Sequence, residues 1–453
     1  MKLPPSEECP IAHFSRVTPE HTALLLDDGQ LTYRKLHLLI NGVCGALQAL
    51  GVEENSRCAF TAHLNYQNIV LLFALFRLRA IACPLSYRIP VAQRKTVLAT
   101  LQATHDLCYE KLINFSQPVE KTNWGLSQLA AFLHTSGSTS APKIAAHTLS
   151  NHYYSAIGAI SFLQLTSFDR WLLSLPLFHV GGLSILFRCF LQGATVVLSD
   201  HALSDALLKH QVTFVSLVPT QLYRLLKEDT AKIENVKKHL KCVLLGGAAL
   251  GDELFSQARA AGFLVVTSYG MTEMSSIISA DKHLFSQSVG KPLEYREVTI
   301  KDEGEIYVRG KTLFAGYLFN HNEITKTLDA DGWFATSDLG TINAEGLLEI
   351  LGRKDRMFIS GGENIHPEEI ERALCRLPGV YEACVVPIDD PEFGQRPIAY
   401  LRTEGHQYTL DEICELLREM LPSFKHPTAL HPLPNLSENL KINRQILLQN
   451  KQK

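Results

Sequence analysis

Between residues 31 and 51 apolar side chains fall at Leu36, Leu39, Ile40, Val43, Leu47 and Leu50, the spacing of one helix face, and the run stops at Gly51. Thr32 stands where that helix needs a hydroxyl N-cap. Short apolar runs, Arg57 to Ala62 and Ala80 to Pro84, read as strands. The most apolar stretch, Ile69 to Leu85, is interrupted by Arg77 and Arg79, so it reads as a buried helix running into a strand rather than a membrane span. The alternation continues with strand Leu129 to Leu133 and helix Asn151 to Ile160, for which Ser150 is the candidate cap. Strands Trp171 to Leu175, Thr195 to Leu198, Phe214 to Leu217, Cys242 to Leu245 and Phe263 to Val266 follow, with helical patterning between them. Strands alternating with helices predict a parallel sheet covered on both faces.

From Gly290 the period shortens. Glu297 to Lys301, Glu305 to Arg309 and Leu347 to Leu351 alternate like strands, with turns at Asp302-Glu303-Gly304 and Ala344-Glu345-Gly346, and predict a β-rich subdomain. The charge-dense Gly352-Arg353-Lys354-Asp355-Arg356 follows a strand and marks a boundary. Beyond it come helix Pro367 to Arg376, strands Tyr381 to Pro387 and Ile398 to Arg402, helix Leu410 to Met420 and a Pro-rich tail. The expected fold class is therefore α/β: a large N-terminal domain over residues 1–352, built of α/β subdomains plus the β-rich one, and a small α+β C-terminal domain over residues 353–453.

Composition narrows the function. A formal charge of −3 over 453 residues leaves no electrostatic footprint for nucleic acid or an anionic membrane, which favours small-molecule chemistry. The ten cysteines form no C-x-x-C pair and read as reduced core thiols, so neither a zinc site nor a disulfide framework is expected. Residues 1–14 are broken by Pro4, Pro5, Glu7 and Glu8 and lack the apolar core of a signal peptide, so a cytoplasmic location without membrane insertion is expected.

Candidate chemistry lies in loops that leave predicted strands, where open α/β sheets place their ligands. Thr135-Ser136-Gly137-Ser138-Thr139-Ser140-Ala141-Pro142-Lys143 offers backbone N–H groups, hydroxyls and one ammonium to a phosphate chain, though its composition also suits a surface linker. Gly246-Gly247-Ala248-Ala249 and Thr267-Ser268-Tyr269-Gly270-Met271-Thr272-Glu273 leave two further strands. Taken singly, Tyr269 could be core, Thr272 and Glu273 a helix cap, and Asp338 an ordinary turn residue.

Together, the 135–143 loop, Tyr269-Gly270-Met271-Thr272-Glu273, Gly332-Trp333-Phe334-Ala335-Thr336-Ser337-Asp338, Gly352-Arg353-Lys354-Asp355 and Lys441 occur in the order found in acyl-adenylate-forming (AMP-binding) enzymes. The chain resembles that superfamily over nearly its whole length. The resemblance implies the adenylate-forming enzyme fold with a mobile C-terminal domain, the co-substrates ATP and CoA, and Mg²⁺. It further implies that Thr135, Ser136, Gly137, Ser138, Thr139 and Lys143 cover the ATP phosphates. Gly246, Gly247 and Ala248 would let adenine lie flat against backbone, with Tyr269 stacking on its other face, and Gly270 and Met271 would be among the nucleotide-binding residues. Thr272 would touch the α-phosphate, Glu273 would hold Mg²⁺, and Asp338 and Arg353 would meet the ribose. Lys441 would bridge the substrate carboxylate and the α-phosphate, making Lys441, Thr272 and Glu273 the catalytic set. Asp355 would be the hinge, and Phe358-Ile359-Ser360-Gly361-Gly362-Glu363, with Gly361 and Gly362, would line the CoA tunnel.

Within the superfamily, three segments are similar to the 2-succinylbenzoate–CoA ligases of menaquinone biosynthesis: residues 151–158, Leu175 to Arg188, and Leu217 to Leu222. That likeness implies an acid with two carboxylates, one activated and one recognised. Arg188 is the candidate for the second because its fork matches a carboxylate, the alternative being a surface arginine on an apolar helix. His179 would shape the acyl pocket or be a core histidine, and Ser275 and Ser276 would donate to the substrate. The other readings are a CoA ligase for another aryl or medium-chain acid, and a degenerate nucleotide-binding homologue. Homodimerisation is left open. Four positions depart from the family pattern by lacking a glycine: Ser140, Ile144, Ser337 and Leu440. β-Branched Ile144 would resist a positive φ, which puts loop mobility and rate in question.

Overall fold

The computed structural model describes residues 3–112, 118–135, 143–246, 251–282, 288–319, 323–434 and 444–449. The first predicted helix forms over Tyr33–Ala49; Thr32 Oγ1 accepts from the Lys35 amide at 3.2 Å, and Gly51 closes the turn beyond it at φ +79°. Helix Tyr66–Arg77, buried from Asn68 to Arg77, packs beside it and leads into strand Ile81–Leu85, as the apolar run with two arginines predicts.

Two large sheets organise the N-terminal region. The nine-stranded sheet runs in the order Lys291–Pro292, Ser276–Asp281, Val265–Met271, Cys242–Leu245, Phe214–Leu217, Arg170–Leu172, Thr195–Val197, Thr22–Leu26 and Gly29–Thr32. Its interior pairs are parallel, and antiparallel strands are added at both ends. The seven-stranded sheet is likewise parallel through His105–Leu107, Arg57–Thr61, Ile81–Leu85 and Leu129–His134, then antiparallel through Ile144–Thr148, Gly316–Phe319 and Glu323–Thr325. The β-branched and aliphatic runs of the interior strands are buried on both faces, which is why they read as continuous rather than alternating.

A four-stranded antiparallel sheet follows: Arg296–Lys301, Glu305–Gly310, Phe334–Ile342 and Leu348–Arg353. The C-terminal residues build a three-stranded sheet whose strands Val380–Asp390 and Gly394–Thr403 form a long hairpin, with helices Pro367–Leu374 and Leu410–Leu417 packed over a core of Ile365, Ile370, Leu374, Val385, Ile413 and Leu417. Side chains join this unit to the rest: Arg372 Nη1 donates to Ile350 O at 2.8 Å, and Tyr223 Oη donates to Glu404 at 3.0 Å.

Several expectations need correction. The helix expected over Asn151 to Ile160 spans Leu149–Leu163, and its cap is Thr148, which forms a capping box with Asn151; Ser150 lies inside the first turn. Val265–Met271 remains a strand through Tyr269 and Gly270 because it pairs with Ser276–Asp281, so these residues do not form a loop. Phe334–Ile342 is the strand that the polar Thr336, Ser337 and Asp338 concealed. Ile144 opens a strand opposite His134 in extended backbone, where a β-branched residue is at ease, so the resistance expected of it does not arise. Ser337, in contrast, stands at φ +61°, a left-handed conformation that explains why a glycine suits the position. Cys108 is exposed and Cys375 and Cys414 are half-buried, so not every thiol is core.

Candidate adenylation site

The polar ends of these strands converge. Tyr269 is buried on strand Val265–Met271, and its Oη donates to Asp338 Oδ2 at 2.6 Å. The second Asp338 oxygen accepts from Arg353 Nη1 at 3.0 Å, while Arg353 Nε and Nη2 donate to the two oxygens of Asp355 at 2.8 and 3.0 Å. Burial pushes the Asp338 carboxyl above its ordinary range, against the opposing pull of Arg353 and the Tyr269 hydroxyl. Burial, with the Asp338 charge beside it, raises the Tyr269 phenol far above its own. The phenol therefore stays protonated and donates. Tyr269, Asp338, Arg353 and Asp355, carried by three separate sequence motifs, form one network here.

Gly270 has a steric reason beside any nucleotide contact: a Cβ there would lie 2.2 Å from Ser276 O across the strand pair. The register shifts between Tyr269 and Gly270, re-aiming the chain into the Thr272–Met274 turn.

That turn carries Thr272 and Glu273. Glu273 is 8% exposed, and Tyr317 Oη donates to its Oε1 at 2.5 Å; it forms no ion pair among the described residues. A buried carboxylate without a protein cation suits a hard divalent ion. Among the described residues no group of three or more His, Cys, Asp or Glu side chains is placed to hold a metal, so the remaining ligands would be nucleotide oxygens and water. His147 Nε2 donates to Thr272 O at 2.7 Å; burial lowers its imidazole to about 4, which keeps it neutral. Lys143 is exposed and its Nζ stands 5.0 Å from the centroid of the Tyr317 ring. The Thr135 amide donates to Lys143 O at 2.8 Å, so these two residues are paired.

Tyr317 and His147 belong to none of the motifs that the sequence displays. Their only sequence signal is polarity within apolar runs, His147 after Ile144-Ala145-Ala146 and Tyr317 after Phe314-Ala315-Gly316.

Arg188 lies a little over two turns into helix Val180–Gln192 and is 1% exposed, not on the surface. Its Nη2 donates to Ser276 Oγ at 3.1 Å, its guanidinium lies 5.3 Å from the Trp171 ring centroid, and its Nε is without a partner. Among the described residues no carboxylate pairs with it, and burial lowers it to about 10. Ser276 also donates to Ser184 Oγ at 3.3 Å. Ser275 is fully buried, and its hydroxyl has no partner. Both serines hold positive φ, +55° and +111°, in the segment facing the helix. His179 is the exposed N-cap residue of the same helix, roughly 13 Å from Arg188 along the axis, so it is not a core histidine.

Gly246 ends strand Cys242–Leu245, and a Cβ on it would meet Ser268 Oγ at 2.9 Å. Gly361 and Gly362, at φ +59° and +87°, form the turn of hairpin Phe358–Ser360/Glu363–Ile365, so this turn by itself calls for glycine. Met271 is half-buried at the end of its strand. Ser136, Gly137, Ser138, Thr139, Ser140, Gly247, Ala248, Leu440 and Lys441 lie outside the described residues.

Residues 11–123 and 108–318 match the AMP-binding enzyme family, and residues 369–439 match the AMP-binding enzyme C-terminal domain. The chain belongs to the AMP-binding enzyme family. Within it, the chain is similar to 2-succinylbenzoate–CoA ligase of Escherichia coli (strain K12), 34% identical over 450 residues and 97% of each chain. It is 33% identical to the ligase of the same name from Bacillus pumilus, over 95% of this chain and 94% of that one. Among solved structures, an arginine-to-lysine variant of E. coli MenE with bound OSB-AMS superposes with a TM-score of 0.87 at 33% identity, covering 98% of both chains. The Bacillus subtilis o-succinylbenzoate CoA synthetase in complex with the acyl-adenylate intermediate OSB-AMP gives 0.84 at 29% identity, covering 99% of this chain and 98% of that one. The mixed α/β fold with a large N-terminal and a small C-terminal domain is thus that of the adenylate-forming enzymes.

Proposed function

We propose that this chain is an AMP-forming acid–thiol ligase that joins 2-succinylbenzoate to CoA through an acyl-adenylate. A carboxylate oxygen of the acid attacks the α-phosphorus of ATP and expels pyrophosphate; the CoA thiol then attacks the acyl carbon and expels AMP. The observation that carries the substrate is Arg188, a buried guanidinium with no described carboxylate partner. Burying an unpaired charge costs several kcal/mol, and the second carboxylate of 2-succinylbenzoate removes that cost while Ser276 orients the fork.

In this reading Asp338 and Arg353 hold the ribose, and Tyr269 keeps the Asp338 carboxylate turned toward it. Gly246, Gly247 and Ala248 accept the adenine face. The 135–143 loop and Lys143 cover the outgoing phosphates, and Thr272 touches the α-phosphate. Glu273 and nucleotide oxygens would hold Mg²⁺, which supplies charge neutralisation for the phosphates. Lys441 bridges carboxylate and α-phosphate, stabilising charge that grows as the anhydride forms. Residues 353–453 then act as a mobile domain turning about Asp355, which exchanges Lys441 for the Gly361-Gly362 turn at the CoA channel. Support for that boundary is the separate core of the C-terminal unit and the short turn Lys354–Arg356 before it. The unpaired cysteines and the ATP and CoA requirement fit the cytoplasm.

The test is pyrophosphate release with ATP and Mg²⁺ across a panel of carboxylic acids, with and without CoA. Release that depends on 2-succinylbenzoate, with thioester formed only when CoA is present, is expected. Preferred turnover of a monocarboxylic acid overturns the substrate, and no turnover with any acid overturns the enzyme.

A further inference from the structure

We infer that Tyr317 and His147 are positioning residues that hold Glu273 ready for the metal of the metal–nucleotide complex. Tyr317 orients the carboxylate, and His147 pins the backbone beneath it. The inference rests on the nucleotide site proposed above and deepens it.

Glu273 stands on a three-residue turn, which by itself would not fix a carboxylate. The turn is held from two neighbouring strands of the other sheet. Strand Ile144–Thr148 pairs with Gly316–Phe319 in the register Gly316 to Ala146 and Tyr317 to Ala145, so the two residues that reach the turn are carried by one rigid strand pair. From the first strand His147, fully buried, donates to Thr272 O, which also accepts the Ser275 amide at 3.0 Å. From the second, Tyr317 donates to Glu273 Oε1, leaving Oε2 with no described donor. The Phe314 amide donates to Glu273 O at 2.8 Å, and Asn151 Nδ2 donates to Leu313 O at 2.8 Å, tying the approach to Tyr317 onto the next helix. One carboxylate oxygen fixed and the other open is the arrangement by which an outer hydrogen bond sets a metal ligand. Because Lys143 immediately precedes the same strand and its ammonium lies over the Tyr317 ring, the strand pair sets Lys143 and the metal carboxylate in one frame.

The experiment measures binding of ATP by calorimetry with Mg²⁺ and in EDTA, together with pyrophosphate release, for Tyr317→Phe, His147→Leu and His147→Gln. Tyr317→Phe should weaken Mg·ATP binding about tenfold, the worth of one hydrogen bond to a charged group. Metal-free ATP binding and the KM for the acid should stay within about twofold, inside the scatter of a site the change does not touch. His147→Leu should act in the same direction, and His147→Gln, whose amide can donate where Nε2 does, should restore most of the loss. Equal weakening with and without Mg²⁺, or none, overturns the inference. Should His147→Leu lose its cooperative thermal transition, Tyr317→Phe and His147→Gln decide. A parent enzyme that binds Mg·ATP but turns over no acid overturns the proposed reaction and leaves this inference standing when the variants behave as expected; normal turnover with unchanged variants overturns the inference alone.

Discussion

Arg353 divides its guanidinium between two carboxylates, donating to Asp338 Oδ1 at 3.0 Å and clasping both oxygens of Asp355 at 2.8 and 3.0 Å. A planar fork with five donors can do this where a lysine cannot. The residue assigned to the ribose and the residue assigned to the hinge are thereby one side chain apart. Asp338→Ala should raise the KM for ATP roughly ten- to a hundredfold, the range for a lost charge-assisted hydrogen bond. The KM for the acid should hold. An unchanged KM for ATP in steady-state assays would remove Asp338 from the nucleotide site.

The same geometry makes the turn at Asp355 testable. Asp355→Pro fixes φ where a hinge must absorb a backbone change. Adenylate formation, followed by pyrophosphate release in a single turnover, should survive, while the CoA step slows by about tenfold or more, as expected when a domain motion becomes limiting. Equal slowing of both steps would speak against a hinge.

Arg188→Ala should raise the KM for 2-succinylbenzoate by roughly ten- to a hundredfold through loss of a charge-assisted carboxylate contact, with the KM for ATP unmoved. Arg188→Lys should recover part of this, because the charge remains and the fork is lost. An Arg188→Ala enzyme with parental KM for 2-succinylbenzoate would sink the assignment.

Gly270→Ala forces a Cβ to within 2.2 Å of Ser276 O. The strand pair must part at the point that aims Tyr269 to one side and Ser276 to the other. A loss of about 2 kcal/mol or more in urea unfolding is expected for such overpacking, with both KM values raised. Parental stability would show that the bulge relaxes freely.

Stability should fall with acid. His147 and His152 are fully buried, and burial lowers both imidazoles, His147 to about 4 and His152 well below its ordinary value with His147 adding to the effect. An unfolded imidazole titrates near 6.5. Below that pH the unfolded chain binds protons that the folded chain refuses, so the folded state loses about 1.4 kcal/mol per pH unit for each such group until the folded value is reached. Above pH 6.5 the contribution is complete. Urea midpoints at pH 7.5, 6 and 5 measure the slope, and His152→Leu should reduce it by one proton's share; an unaltered slope would exclude His152 as a source.

How legible each part was depended on how local its signal is. The helix capped by Thr32 was readable to its last turn because a 3.6-residue period and a hydroxyl cap are properties of adjacent residues. Phe334–Ile342 escaped because its central polar residues serve a site rather than a face, and function there overrides the alternation of a strand. The motif around Gly270 points to a nucleotide contact, yet the steric need for glycine there arises from a carbonyl six residues further along on the partner strand.

By itself the sequence determined the alternation of strands and helices, the α/β class, and the chemical content of the site, since ordered motifs of hydroxyls, glycines and charges sit in short contiguous stretches. Only the tertiary structure decided which of these side chains meet. Tyr317 reaches Glu273, His147 reaches Thr272, and Arg188 reaches Ser276 because strand pairing and helix packing bring together positions remote in the chain. Such contacts depend on register and burial, which are set when the sheets assemble and leave no periodic trace in the chain.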